Sequence, residues 1–370
     1  MRIGIPKEIK NHEYRIGATP AMVQALVQSG HNVMVETNAG DRIGYPDQLF
    51  EQAGAKIAGS PAEVYDAEMI IKVKEPQPSE YSLLKKDQIL FCYLHLAADP
   101  EQTKALIESE AVAIAYETVV DETGRLPLLM PMSEIAGRIS IQAGANALEM
   151  EHGGRGVLLG GVPGVTAGKV VVIGGGVVGT QAARMAMGLG AEVTILDRNI
   201  HRLRYLDEVY GSRLNTLYSS LQNLEIAVAY ADLLIGAVLI PGAAAPKLIT
   251  KDMVRSMKKG AVIVDVAIDQ GGCAETSRPT THSQPTYISE EVVHYCVTNM
   301  PGACARTATQ ALTNATMPYA LKIANMGYKK ALLEDPHLLP GLNVFHGKIT
   351  NFGVAEALDY EFISPEQVLT

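Results

Sequence analysis

The segment at residues 169–197, KVVVIGGGVVGTQAARMAMGLGAEVTILD, constrains the fold more than any other part of the chain. A short apolar strand runs into glycines, a helical stretch follows, and a second apolar strand ends on an acid. The pattern Gly174-x-Gly176-x-x-Gly179 is weak alone, but between a strand and a helix it is the fingerprint of a dinucleotide site. Gly174 permits the tight turn, Gly176 lets backbone approach a pyrophosphate, and Gly179 lets the helix pack on the strand. The helix N-terminus then offers free N–H groups and the positive end of its dipole to phosphate. Asp197, closing the second strand, suits both hydroxyls of an adenosine ribose and repels a 2′-phosphate, which favours NAD over NADP. Arg198 and Arg202 stand close enough to soften that preference.

The rest of the chain alternates in the same way. Strands are expected at 2–6, 31–37, 67–74, 88–96 and 111–118, with helices at 19–30, 60–65 and 100–109. Thr19, Pro20 and Gly30 supply the cap, first position and stop of the 19–30 helix. A long helix is expected at 133–150 with Ser133 as its N-cap. Further strands are expected at 191–197, 225–230, 232–239, 261–269 and 294–299. A long helical pattern follows Ala305 despite Pro318, and 343–353 reads as a hairpin. This predicts an α/β fold of two doubly wound, Rossmann-like domains with a cleft between them. The first is expected to be discontinuous, at 1–130 and 305–370, and to carry substrate. The second, at 131–304, is expected to bind NAD.

A chain of 370 residues, 47% of them hydrophobic, has ample material for two cores. Its formal charge of −9, with acids and bases interspersed, excludes nucleic acid as the main partner. Cys92, Cys273, Cys296 and Cys304 form no Cys-x-x-Cys pair, so reduced thiols in an intracellular protein are expected. The N-terminus is charged and lacks a signal core. Residues 156–179 superficially suggest a membrane span, but Lys169, Pro163 and many glycines argue against one. A soluble, cytoplasmic protein without membrane partners is expected. The nine histidines show no metal-ligand spacing, and no metal site is expected.

Four residues stand where chemistry is plausible, each beside a plainer alternative. Arg15, just before a capped helix, is suited to gripping a carboxylate, though its neighbours Lys7, Glu8 and Lys10 read as a solvated face. Lys74 closes an expected strand and would point beyond its carboxyl end, where ligands bind in such sheets. Lys72 and Lys74 alternatively guard an edge strand. His95 follows the apolar run ILFCYL, either as a structural histidine or as a general acid–base group. Asp269 closes AVIVDVAID and can face the nicotinamide end of a cleft, while Asp265 on the same strand demands buried hydrogen-bond partners.

Taken together, MRIGIPKEIKNHEYRIGATP, GRISIQAGANALEMEHGGRGVLLGGVPGVTAGKVVVIGGGVVG, DVAIDQGGCAETSRPTTHSQPTY and VTNMPGACARTAT resemble the signatures of the alanine dehydrogenase and nicotinamide nucleotide transhydrogenase family, on its alanine dehydrogenase branch. The resemblance covers essentially the whole chain. It implies an NAD-dependent oxidoreductase that converts L-alanine reversibly to pyruvate and ammonium, assembled as a homohexamer. It assigns Arg15 and Lys74 to substrate binding and His95 and Asp269 to catalysis. It further implies NAD contacts from Ser133, Val177, Val178, Asp197, Arg202, Ser219, Val238, Leu239, Ala267, Ile268, Asp269, Arg278, Val297, Thr298, Asn299 and Met300. Two other classes stand beside this reading. One is the nucleotide-binding part of a membrane-coupled transhydrogenase, which typically lacks the histidine of CYLHLA. The other is a silent NAD-sensing or scaffold protein on the same fold.

Overall fold

The structure, a computed structural model, describes residues 1–238 and 245–370. The chain forms two compact units, Met1–Pro131 with Cys304–Thr370, and Met132–Ala303. Each is an α/β unit built on a largely parallel sheet.

The first unit begins with β1 (Arg2–Ile5), β2 (Asn32–Glu36), β3 (Lys56–Ala58), β4 (Met69–Ile71), β5 (Ile89–Cys92) and β6 (Val112–Ala115). The second contributes β7 (Lys169–Ile173), β8 (Glu192–Asp197), β9 (Asn215–Tyr218), β10 (Leu233–Gly236), β11 (Val262–Asp265), β12 (Thr286–Ser289) and β13 (Val292–Tyr295). The chain then returns to the first unit with β14 (Leu342–Phe345) and β15 (Lys348–Ile349).

In the first unit the strand order is β15-β14-β6-β5-β4-β1-β2-β3. Strands β1 to β6 pair in parallel, while β14 runs antiparallel to both β6 and β15. Every residue of β4, β5 and β6 is buried, as expected where helices cover both faces of a parallel sheet. The connections show their chemistry locally. The helix Pro20–Gln28 opens on Thr19, whose hydroxyl accepts from the Met22 N–H, with Pro20 in its first turn. The helix Ala305–Met326 continues across Pro318. Its Thr309 hydroxyl accepts the backbone N–H of Ile16 at 3.3 Å, which ties down the loop carrying Arg15.

The second unit has strand order β12-β13-β11-β10-β7-β8-β9, parallel except for the edge strand β12. The order reverses at β7, the position where such sheets bind ligands beyond their strand ends.

Several local expectations are corrected. Residues 225–230 are not a strand but part of the helix Leu221–Tyr230, capped by Ser220, whose hydroxyl accepts from the Asn223 N–H. Leu224, Ala227 and Val228 recur at helical spacing on its buried face. The missing strand is instead the half-exposed β9. The long central helix spans Met130–Ala147, so Ser133 lies inside its first turn and is not its N-cap. Strand β4 ends at Ile71, β5 at Cys92 and β11 at Asp265, each earlier than expected. Lys74, His95 and Asp269 therefore sit in the turns that follow the strands.

Candidate functional site

Four neighbouring strands of the first unit, in the order β6-β5-β4-β1, release their chains at the same edge of the sheet. The segments leaving them carry Glu117, His95, Lys74 and Arg15 respectively. A Cβ on Gly17 would meet the Ile71 carbonyl at 2.4 Å, so the Arg15 loop lies directly against the end of β4.

Arg15 is 2% exposed, an unusual place for a guanidinium. Glu13 makes it tenable. The Arg15 Nε donates to Glu13 Oε1 at 2.7 Å, and Nη2 donates to Oε2 at 2.6 Å. The backbone N–H of Arg15 also donates to Oε1 at 3.0 Å. Burial opposes the charge on each partner, and the pairing outweighs it. The Glu13 carboxyl is held down to about 2, and Arg15 is raised above its ordinary value. Glu13 takes the Nε–Nη2 edge of the guanidinium and fixes its orientation.

Lys74 is half-buried, and its ammonium makes no hydrogen bond or ion pair among the described residues. Burial, and then the charge of Arg15, lower its pKa. A cation with no protein partner beside a second cation is suited to an oxygen ligand. The backbone around it is fixed from below by Glu8, which accepts from the Val73 and Lys74 N–H groups at 2.7 and 3.2 Å. Lys72 guards no edge. It is fully buried, 3.4 Å from Glu8 and 2.8 Å from Glu80, and Glu80 also accepts from the Tyr65 hydroxyl. Burial disfavours the Lys72 charge, but those two carboxylates outweigh it and raise its pKa.

His95 is exposed, with left-handed backbone at φ 52°. Its ring stacks on Tyr93, with centroids 6.0 Å apart and planes 8° from parallel. The Tyr93 hydroxyl donates to the Leu128 carbonyl at 2.6 Å. Burial pushes the Tyr93 phenol well up despite the nearby Arg15 charge, so it stays protonated. Glu117 accepts the His95 N–H at 2.6 Å.

The second unit carries the glycine turn. Gly174 has φ 103°, and a Cβ on Gly179 would strike the Gly174 carbonyl at 1.8 Å. A Cβ on Gly176 would meet nothing within 4 Å, so the space above it is open. Gly176 is the N-cap of the helix Val177–Gly188 and places that open space at the helix N-terminus. These residues fit a dinucleotide pyrophosphate. Asp197 is half-buried at the end of β8 and accepts from the Gly175 N–H at 2.6 Å and the Asn199 N–H at 2.7 Å. Each oxygen keeps acceptor capacity for a ribose hydroxyl. Arg202 is a brace across the glycine turn, with Nε donating to the Gly175 carbonyl at 2.6 Å and Nη2 to Thr180 Oγ1 at 2.7 Å. Val177 is exposed, Val178 half-exposed, and Ser219 is buried after β9, with its N–H on the Asp197 carbonyl.

Beyond β11, Ala267, Ile268 and Asp269 form a single 3-10 turn, Val266–Gln270, with Asp269 exposed. Buried Asp265 accepts from the Ala267, Cys273 and Ala274 N–H groups at 3.1, 2.8 and 3.2 Å and from Ser277 Oγ at 2.6 Å. It thereby organises the segment that carries Asp269 and Arg278. Arg278 lies 4.0 Å over the Tyr287 ring. Val297, Thr298, Asn299 and Met300 follow β13, with Val297 and Met300 buried. Val238 is half-buried after β10, Ser133 is half-buried in the central helix, and Leu239 lies outside the described residues.

Sequence reasoning missed Glu13, Tyr93 and Glu117 as parts of this arrangement. Glu13 carried a signal, since an acid two residues from a buried arginine is a ready partner. Glu117 carried none, because only the pairing of β5 with β6 brings it to His95.

Comparison with known proteins shows the family and the fold. Residues 4–136 match the model of the alanine dehydrogenase/PNT N-terminal domain, and residues 140–352 match that of the C-terminal domain. Alanine dehydrogenases of Halomonas elongata and Methanococcus maripaludis are 56% and 57% identical, each over 100% of both chains. A solved L-alanine dehydrogenase superposes with TM-score 0.95 at 56% identity, covering 97% of this chain and 99% of that one. A transhydrogenase from Sinorhizobium meliloti, at 24% identity and TM-score 0.82 over 95% and 99% of the two chains, shares the fold. The chain belongs to the alanine dehydrogenase/PNT family.

Proposed function

We propose that the protein is an NAD-dependent dehydrogenase of L-alanine, catalysing L-alanine + NAD⁺ + H₂O ⇌ pyruvate + NH₄⁺ + NADH + H⁺. Full-length relatives with that activity in their names support the reaction. The observation that carries the assignment is the set of Arg15, Lys74 and His95 at adjacent strand ends, which a silent module has no need to keep.

When bound, NAD supplies the hydride acceptor. The residues do the rest. Arg15, preorganised by Glu13, holds the substrate carboxylate. Lys74 offers its unpaired ammonium to the oxygen that becomes the pyruvate carbonyl, where charge changes during the reaction. His95 removes a proton from the water that adds to the iminium carbon and returns one to nitrogen as the carbinolamine collapses. Asp269 orients the amine or water. In the second unit, the glycine turn takes the pyrophosphate and Asp197 the adenosine ribose. Ser133, Val177, Val178, Arg202, Ser219, Val238, Leu239, Ala267, Ile268, Arg278, Val297, Thr298, Asn299 and Met300 complete the cofactor contacts.

We also assign a homohexamer in the cytoplasm. Four unpaired thiols suit a reducing compartment. Met150, Leu158, Val162 and Val165 of the second unit leave apolar surface exposed, as subunit contacts do. No helix among the described residues is long and apolar enough to cross a membrane.

Incubation of purified protein with L-alanine and NAD should yield pyruvate, ammonium and NADH in equal amounts. NADH formation without pyruvate would reject the assignment. Sedimentation at the mass of a monomer would reject the hexamer.

A further inference from the structure

Strands β5 and β6 pair in parallel with Cys92 opposite Ala115, so their chains leave the sheet side by side. Two residues past Ala115, Glu117 reaches into the turn at the end of β5. Its Oε1 accepts from the Leu94 N–H at 3.1 Å and the His95 N–H at 2.6 Å, and its Oε2 accepts from the Leu94 N–H at 3.2 Å. The same Oε1 lies 3.9 Å from His95 Nδ1. The Glu117 side chain is 15% exposed, whereas that of His95 is 51% exposed.

The backbone at His95 has φ 52° and ψ 39°, the left-handed region that a non-glycine residue occupies only at a steric cost. Something must hold it there. Two successive N–H groups converging on one carboxylate form a nest, an arrangement that stabilises a bend of this kind. Bonds to an ionised acceptor are stronger than neutral ones. Among the described residues the imidazole makes no hydrogen bond of its own. It is set by the backbone bend, by the Tyr93 ring on one face and by the negative charge facing Nδ1.

We propose that Glu117 is the positioning residue for His95, holding the bend that presents the imidazole and favouring the proton on Nδ1 so that Nε2 faces the substrate. This rests on the assignment of His95 as the acid–base group. Glu117 itself touches neither substrate nor cofactor in this account.

The test compares wild type, E117A, E117Q and H95A in the alanine reaction, with and without added formate. E117A should lower kcat by about tenfold or more, a part of the roughly hundredfold or greater effect of an acid–base group, with the KM for NAD within about twofold of wild type. Formate, which can fill the vacated carboxylate position, should restore part of the E117A rate and leave H95A unchanged. E117Q keeps the size and one acceptor, and covers the case in which E117A fails to fold. It should show a smaller fall in kcat with the KM for NAD unchanged, and an altered ¹⁵N signature at His95. Wild-type kcat in either Glu117 variant would overturn the proposal. So would a rate loss that ignores formate and comes with a parallel rise in the KM for NAD. Wild-type turnover in H95A would instead remove the assignment of His95 on which the proposal rests.

Discussion

Glu13 grips Arg15 along the Nε–Nη2 edge of the guanidinium, at 2.7 and 2.6 Å, with both side chains almost wholly out of solvent. Breaking a buried pair by removing one partner strands the other charge, at a cost of about 3–5 kcal/mol. E13Q should therefore unfold at a markedly lower urea concentration than wild type and weaken alanine and pyruvate binding, while NADH affinity in folded protein is retained. Equilibrium unfolding and NADH fluorescence titration check both parts.

The same pair gives a pH dependence of defined sign. The Glu13 carboxyl titrates near 2 in the folded protein against an ordinary 4.5. Between those values the unfolded chain binds more protons, so stability rises with pH. The contribution is complete above about 4.5 and is lost as pH falls toward 2. E13Q should lack this part of the acid-unfolding curve, measured as the difference in unfolding free energy between the two proteins from pH 5 down to 2.5.

Lys74 loses its proton below the ordinary lysine range because it is buried and faces Arg15, while Glu75 partly offsets the shift. Chemistry that needs its charge should fade as pH rises through a value below 10.5. E75Q removes the offsetting charge and should move the alkaline limb of kcat/KM for alanine to lower pH. K74M should cut kcat/KM for alanine by about a hundredfold or more, the scale of losing one charge-stabilising donor, with NADH binding intact. An E75Q limb that stays in place or moves to higher pH would remove Lys74 as its source.

Most of the fold could be read from periodicity and caps. Thr19 with Pro20, Ser60 with Pro61, and the glycine turn all specify their own local geometry. Errors fell where a local pattern supports two answers. Residues 225–230 are apolar enough for a strand, and only Ser220 and the spacing of Leu224, Ala227 and Val228 mark a helix. Lys72 read as an edge charge because nothing local announces Glu8 and Glu80, which are brought to it from other parts of the chain. Glu117 was invisible for the same reason. Strands β4 and β5 could be placed from sequence, but the groups that brace Lys72 and His95 depend on which strands are neighbours.

In the proposed cofactor site Asp197 would meet the ribose with oxygens that already accept from Gly175 and Asn199. D197A should therefore weaken NAD through both the ribose contact and the glycine turn, and the kcat/KM preference for NAD over NADP should fall by about tenfold or more, the scale of losing one good charged hydrogen bond. An unchanged ratio would count against the ribose contact.

The most direct test follows NADH absorbance with purified protein, pyruvate and ammonium, each omitted in turn. Rapid loss that requires both is the predicted result, with the signal replaced by weak or no loss when NADPH is substituted. Loss that proceeds without ammonium, or no turnover in protein shown to bind NADH, would contradict the account.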